Sequence, residues 1–254
     1  MNAPALEVQR LSIRYPGAAP VIADLDLAVA PGEIVAVLGQ SGVGKSSLLR
    51  VLGGLQRASS GRVLAGGVEI DAPQPRVAVA FQDPALLPWL TLEGNVAFGL
   101  DFKRQPRREA AARKALIDAA IAEVGLEAAR KFRPSALSGG MAQRTALARC
   151  LAREPDVLLL DEPFGALDEV TRAAMQALLL KVVARHRAAA LLITHDVDEA
   201  LNVADRIVLL GGAPARAVGV WDVDLPHPRE DAVAETGALR IEILTALRSA
   251  VRRH

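Results

Sequence analysis

Aromatic side chains are scarce in this chain, 3% of 254 residues with a single tyrosine and two tryptophans, so its core must be built from aliphatic residues, which carry most of the 51% apolar content. An excess of either charge is missing as well: 30 Lys and Arg face 29 Asp and Glu. That balance removes the basic surplus a nucleic-acid backbone would demand, and no nucleic-acid partner is expected. The lone cysteine, Cys150, excludes an internal disulfide and fits a reducing compartment; its own reading is a small apolar residue on a helix. Long hydrophobic runs are absent too, none approaching the about 18 residues of a membrane span, and residues 1–10 lack the basic start and apolar core of a secretory signal. Any membrane role is therefore expected to come through a partner.

What is present is enough apolar material for one large α/β domain or two small ones. Alternation in Leu6, Val8, Leu11, Ile13 and Tyr15, and again in Leu25, Leu27 and Val29, predicts two strands joined across a Pro/Gly turn at residues 16–20. Residues 34–38 form a short apolar strand, followed by a glycine loop and a helical stretch over 45–55. Further buried strands are predicted at 77–81, 157–160, 190–194 and 207–210. Between 84 and 134 the only long pattern is helical, chiefly 107–124, and the pattern weakens after Gly211 before a last helix over 237–253.

Gly39-Gln40-Ser41-Gly42-Val43-Gly44-Lys45-Ser46 is a complete P-loop in the strand-loop-helix context the pattern requires. Its glycines let successive N–H groups converge on phosphate oxygens at a positive helix end. Lys45 would reach the β- and γ-phosphates and Ser46 would ligate Mg²⁺. The apolar residues 157–160 run into Asp161 and Glu162, placing carboxylates at the carboxyl edge of a parallel sheet. Asp161 suits a Mg²⁺ shell and Glu162 a base for the attacking water. A third segment, Leu137-Ser138-Gly139-Gly140-Met141-Ala142-Gln143, begins a predicted helix with Ser138 as its cap.

In that order, with Gln82, Gly165-Ala166-Leu167-Asp168 and His195, these motifs resemble the ATP-binding-cassette ATPase family over residues 6–210. The resemblance implies an α/β P-loop NTPase fold: a mostly parallel core sheet, an antiparallel β edge and a helical subdomain inserted at about 84–150. Residues 1–210 would form the ATPase domain and 211–254 a short tail with a terminal helix. It further implies ATP and Mg²⁺ as ligands, with Ser47 completing the loop's hold on ATP and Tyr15 stacking on adenine. By itself, a lone aromatic at a strand end is more often an edge or core residue. Gln82 would touch Mg²⁺ or water, and His195 would meet the γ-phosphate and position Glu162. Ser138, Gly139, Gly140 and Gln143 would face ATP held by a second copy of the chain, with Asp168 joining the two sites across that interface.

The apolar loop Asp83-Pro84-Ala85-Leu86-Leu87-Pro88-Trp89-Leu90-Thr91 reads either as a contact surface for a transmembrane permease subunit or as a satellite core. Together with Asn95-Val96-Ala97-Phe98-Gly99-Leu100 and Asp224-Leu225-Pro226-His227-Pro228-Arg229, it is similar to the nitrate, sulfonate and taurine importer subfamily, although an Arg is expected at His227. That similarity implies a peripheral ATPase on the cytoplasmic face of the inner membrane, served indirectly by a periplasmic solute-binding protein. Aliphatic sulfonates are the first expected solute, with taurine or nitrate as alternatives. A DNA-repair type of cassette ATPase would carry a long coiled coil, and no extended heptad pattern occurs.

Overall fold

The computed structural model describes residues 3–100, 102, 104–229 and 232–251. Its centre is a six-stranded sheet of β3 (Ile34–Leu38), β6 (Val77–Ala80), β7 (Val157–Asp161), β8 (Ala189–Thr194), β9 (Arg206–Gly211) and β10 (Arg216–Asp222), ordered β10-β9-β3-β8-β7-β6. The pairs within β9-β3-β8-β7-β6 are parallel, and β10 closes one side antiparallel to β9. Every residue of β3 and β8 is buried, as continuous apolar strands covered on both faces must be.

The early strands do not sit at the edge of this sheet. β1 (Leu6–Arg14) and β2 (Pro20–Val29) pair antiparallel and, with β4 (Ser60–Ala65) and β5 (Val68–Glu69), make a separate four-stranded sheet ordered β2-β1-β4-β5. The antiparallel edge of the main sheet is instead β10, in a segment where the sequence pattern had faded.

Helix α1 (Lys45–Leu52) follows β3 directly. Between β6 and β7 run α2 (Leu92–Ala97), α3 (Ala110–Glu123) and α4 (Gly139–Leu151), with Cys150 buried on α4. After β7 come α5 (Glu169–His186), α6 (Val197–Val203) and α7 (Val233–Val251); Arg252 and Arg253 of the predicted last helix lie outside the described residues. Alternation along β3 divides the interior. Ile34, Ala36 and Leu38 join one core with the helices α2–α6, while Val35 and Val37 join a second with β1, β2 and α1.

Candidate functional site

Residues 39–44 leave the carboxyl end of β3 and enter α1 through left-handed glycines, Gly42 at φ +84° and Gly44 at φ +110°. A Cβ on Gly44 would also stand 2.6 Å from Val21 Cγ1, so glycine there is demanded by both backbone and space. Gln40, Ser41 and Val43 fill the loop between the glycines. Lys45 is 94% buried, being only 6% exposed, and its Nζ donates to Gly39 O at 2.6 Å and to Gln40 O at 3.0 Å. Burial pulls this ammonium below its ordinary range, while the charges of Glu162 and Asp161 oppose the shift.

Asp161 ends β7 beside this lysine. Burial, and then the neighbouring Glu162 charge, push its carboxyl above the usual range; a hydrogen bond with Ser46 and the Lys45 charge pull it back. Glu162 adopts φ +44°, a left-handed turn uncommon for a residue with a side chain, fixed by its N–H donating to Ile193 O at 2.8 Å. Glu162 Oε1 lies 2.9 Å from His195 Nδ1, and Oε2 accepts from Gln82 Nε2 at 3.3 Å. Residues from β6, β7 and β8 thus converge on one carboxylate, as the parallel register requires: Ala80 pairs with Leu160, and Asp161 with Ile193.

Tyr15 borders the loop. Its hydroxyl shares a 2.9 Å hydrogen bond with Ser47 Oγ and donates to Gln56 Oε1 at 3.3 Å, and the Ser47 bond is the main cause that holds its pKa below the ordinary tyrosine value. Its 37% exposure leaves the ring reachable from solvent.

The glycine segment before α4 behaves differently. Ser138 caps the helix, accepting from Met141 N at 3.3 Å. A Cβ on Gly139 would meet nothing within 4 Å, whereas one on Gly140 would be 2.4 Å from Thr171 Cγ2 of α5. Among the described residues no hydrogen bond joins residues 138–140 to the loop at 39–47. Gln143, expected beside them facing a second copy, is turned inward instead: it is 4% exposed and donates to Gln82 O at 2.9 Å. Its amide is used to hold the Gln82 segment against α4. Asp168 caps α5, accepting from Thr171 N at 3.0 Å and Thr171 Oγ1 at 2.6 Å, bonds that hold its carboxyl below the usual range.

Three contributors were not read from the sequence: the hydroxyl of Thr194, and the side chains of Glu199 and Arg172. Thr194 Oγ1 donates to Glu199 Oε2 at 2.8 Å, and Arg172 Nε lies 3.5 Å from Glu199 Oε1. Asp196 and Glu199 have capping-box spacing, which would have flagged the helix start. Asp196 does cap α6, but Glu199 reaches past the cap to Thr194.

The sequence profile of the ABC transporter family matches residues 22–165, from β2 past the carboxylates Asp161 and Glu162 at the end of β7. The chain belongs to the ABC transporter family. An aliphatic sulfonates import ATP-binding protein of Burkholderia lata is 46% identical over 93% of this chain and 84% of its own length. A taurine import ATP-binding protein of Pseudomonas putida is 48% identical over 86% of this chain and 83% of its own. Among solved structures, a dimeric ATP-binding cassette in a post-hydrolysis state with ADP and Pi matches with a TM-score of 0.75 at 26% identity, covering 87% of this chain and 100% of that one. Membership in this family implies nucleotide binding, and the matched residues 22–165 include the loop at 39–47. No helix among the described residues is long and apolar enough to cross a membrane.

Proposed function

We propose that this chain is the ATP-hydrolysing subunit of a membrane importer for small organic anions, with aliphatic sulfonates as the first candidate. The observation that carries the hydrolytic part is the Glu162 carboxylate, held between His195 Nδ1 and Gln82 Nε2 beside the P-loop lysine. Such a carboxylate can take the proton of a water attacking the γ-phosphate, with His195 fixing its orientation. Lys45 would exchange its loop carbonyls for phosphate oxygens when ATP is bound.

The donor set also fits Mg²⁺: a serine hydroxyl and a carboxylate are hard oxygen ligands, and the raised Asp161 acid marks a place where positive charge is wanted. Ser46 and Asp161 would hold the ion, with Gln82 near it. When bound, Mg²⁺ neutralises charge on the β- and γ-phosphates.

The open start of α4, with space beyond Gly139, supports a composite site in which Ser138, Gly139 and Gly140 close on ATP held by a second copy. Asp168 would stand at that interface. Trp89, 67% exposed, and a groove of about 540 Å³ lined by residues including Phe81, Ala85, Phe98, Phe102 and Arg149 support docking of a permease subunit. The chain would then work at the cytoplasmic face of the inner membrane, fed by a periplasmic binding protein. Relatives named for sulfonate and taurine import share the sulfonate group as solute chemistry; nitrate is the second reading.

The test is Mg-ATPase activity of wild type beside Glu162→Gln, with size-exclusion chromatography in ATP. Turnover is expected to fall at least about a hundredfold in the variant while an ATP-dependent dimer persists. Undiminished turnover would reassign the base.

A further inference from the structure

Outside the groups that face the nucleotide, one buried polar chain has no role in the reaction described so far. Thr194 Oγ1 donates to Glu199 Oε2 at 2.8 Å and accepts from Asp196 N at 3.1 Å. The residues before and after His195 are thus fastened to one hydroxyl, leaving the imidazole to project toward Glu162. Glu199 is 5% exposed. Its Oε1 faces Arg172 Nε at 3.5 Å, and Arg172 Nη2 donates to Leu167 O at 3.2 Å, in the loop that leads into α5. Burial raises the Glu199 acid, and the Thr194 hydrogen bond, with a smaller contribution from the Arg172 charge, opposes the rise.

We propose that Arg172 and Glu199 are positioning residues that transmit the placement of the 165–168 loop to His195, and through it to Glu162. The inference rests on reading Glu162 as the base. The path is short: carbonyl 167 to guanidinium 172, to carboxylate 199, to hydroxyl 194, and from there through the backbone of residues 194–196 that carries His195. A shift of the loop before α5 alters the Arg172–Glu199 contact, and the hydroxyl that pins both neighbours of His195 follows. The histidine is then aimed correctly only when the loop is in place, which ties water activation to the arrangement of a surface where a second copy is expected.

The experiment uses the purified full chain and measures Mg-ATPase kcat and KM, ATP-dependent dimer formation and melting temperature for Arg172→Met, Glu199→Gln and the double variant. Each single change is expected to lower kcat about tenfold, with KM for ATP within about twofold and the dimer intact. The double variant is expected to be no slower than the slower single one, because both cut the same chain. Thr194→Val removes the hydroxyl at constant shape and is expected to match them, while Thr194→Ser restores most of the lost turnover. Should a Glu199 variant fail to fold, the Thr194 pair decides.

Unchanged kcat, multiplying losses in the double variant, or losses that follow lowered melting temperature would overturn the proposal and leave the network a purely structural one. If Glu162→Gln itself keeps wild-type turnover, the underlying reading has failed instead. If it abolishes turnover while the Arg172, Glu199 and Thr194 variants do not, only the positioning proposal falls.

Discussion

Asp161 and Glu162 are consecutive carboxylates with separate neighbours. The extended residue meets Ser46 and Lys45; the left-handed one meets His195 and Gln82. Glu162 takes its φ of +44° directly after the strand residue Asp161. The cost of keeping them together falls on Asp161, whose carboxyl is raised from its ordinary 3.8, chiefly by burial. The folded chain therefore binds the Asp161 proton more tightly than the unfolded chain does. Stability contributed by this group falls as pH rises from the unfolded value through the elevated folded one. Asp161→Asn removes that contribution. Thermal melts without nucleotide should show the variant more stable than wild type near neutral pH, with the gap closing as pH drops. Mg-ATP should no longer raise its melting temperature. Identical melting curves at every pH would mean that the Asp161 carboxylate carries no such cost.

Two adjacent glycines at the start of α4 have different reasons to be there, and substitution separates them. Gly140 lies under Thr171, so Gly140→Ala should cost about 1–3 kcal/mol of stability through overpacking, measured by denaturant unfolding. Gly139 faces open space, and Gly139→Ala should change stability by no more than about 0.5 kcal/mol. Its expected defect is in the ATP-dependent dimer, read by size exclusion; a normal dimer would remove Gly139 from the composite site. Two helices earlier, α2 shows how a loop is presented. Asn95 is fully buried and its side chain bonds the backbone of Leu87, Leu90 and Thr91, holding the segment that displays Trp89.

Elements of this kind differ in how far the sequence discloses them. β3, β6, β7, β8 and β9 are plain in the sequence because a strand covered on both faces must be an unbroken apolar run. β10 has no buried residue and, like β4, opens with three exposed ones, so neither carries a clear burial signal. β5 is two exposed residues long and is defined only by pairing with β4. In the site, P-loop and carboxylates are local motifs and legible as such. The Arg172–Glu199 contact spans two helices, and the inward turn of Gln143 depends on where Gln82 lies in space; no spacing rule encodes either.

Across the whole molecule the glycine loop at 39–47 and the exposed Trp89 belong to different parts of the chain, the first running from β3 into α1, the second between β6 and α2. Changes at the tryptophan should therefore leave the chemistry alone. Trp89→Ala is expected to keep the stability and Mg-ATPase of the isolated chain while weakening permease association by roughly 2 kcal/mol, followed by co-purification and solute uptake. Undisturbed uptake would remove Trp89 from the docking surface.

The division made by β3 has a mechanical meaning. Its side chains alternate strictly between the two interiors, so repacking on one side of the central sheet needs no compensating change on the other. A hole opened among Ile117, Ile121 and Leu147 would soften the helical half, while the phosphate loop kept its footing on Leu48, Leu49 and Leu52. One chain can thus be made compliant in its helical half and stay rigid beneath the loop at 39–47.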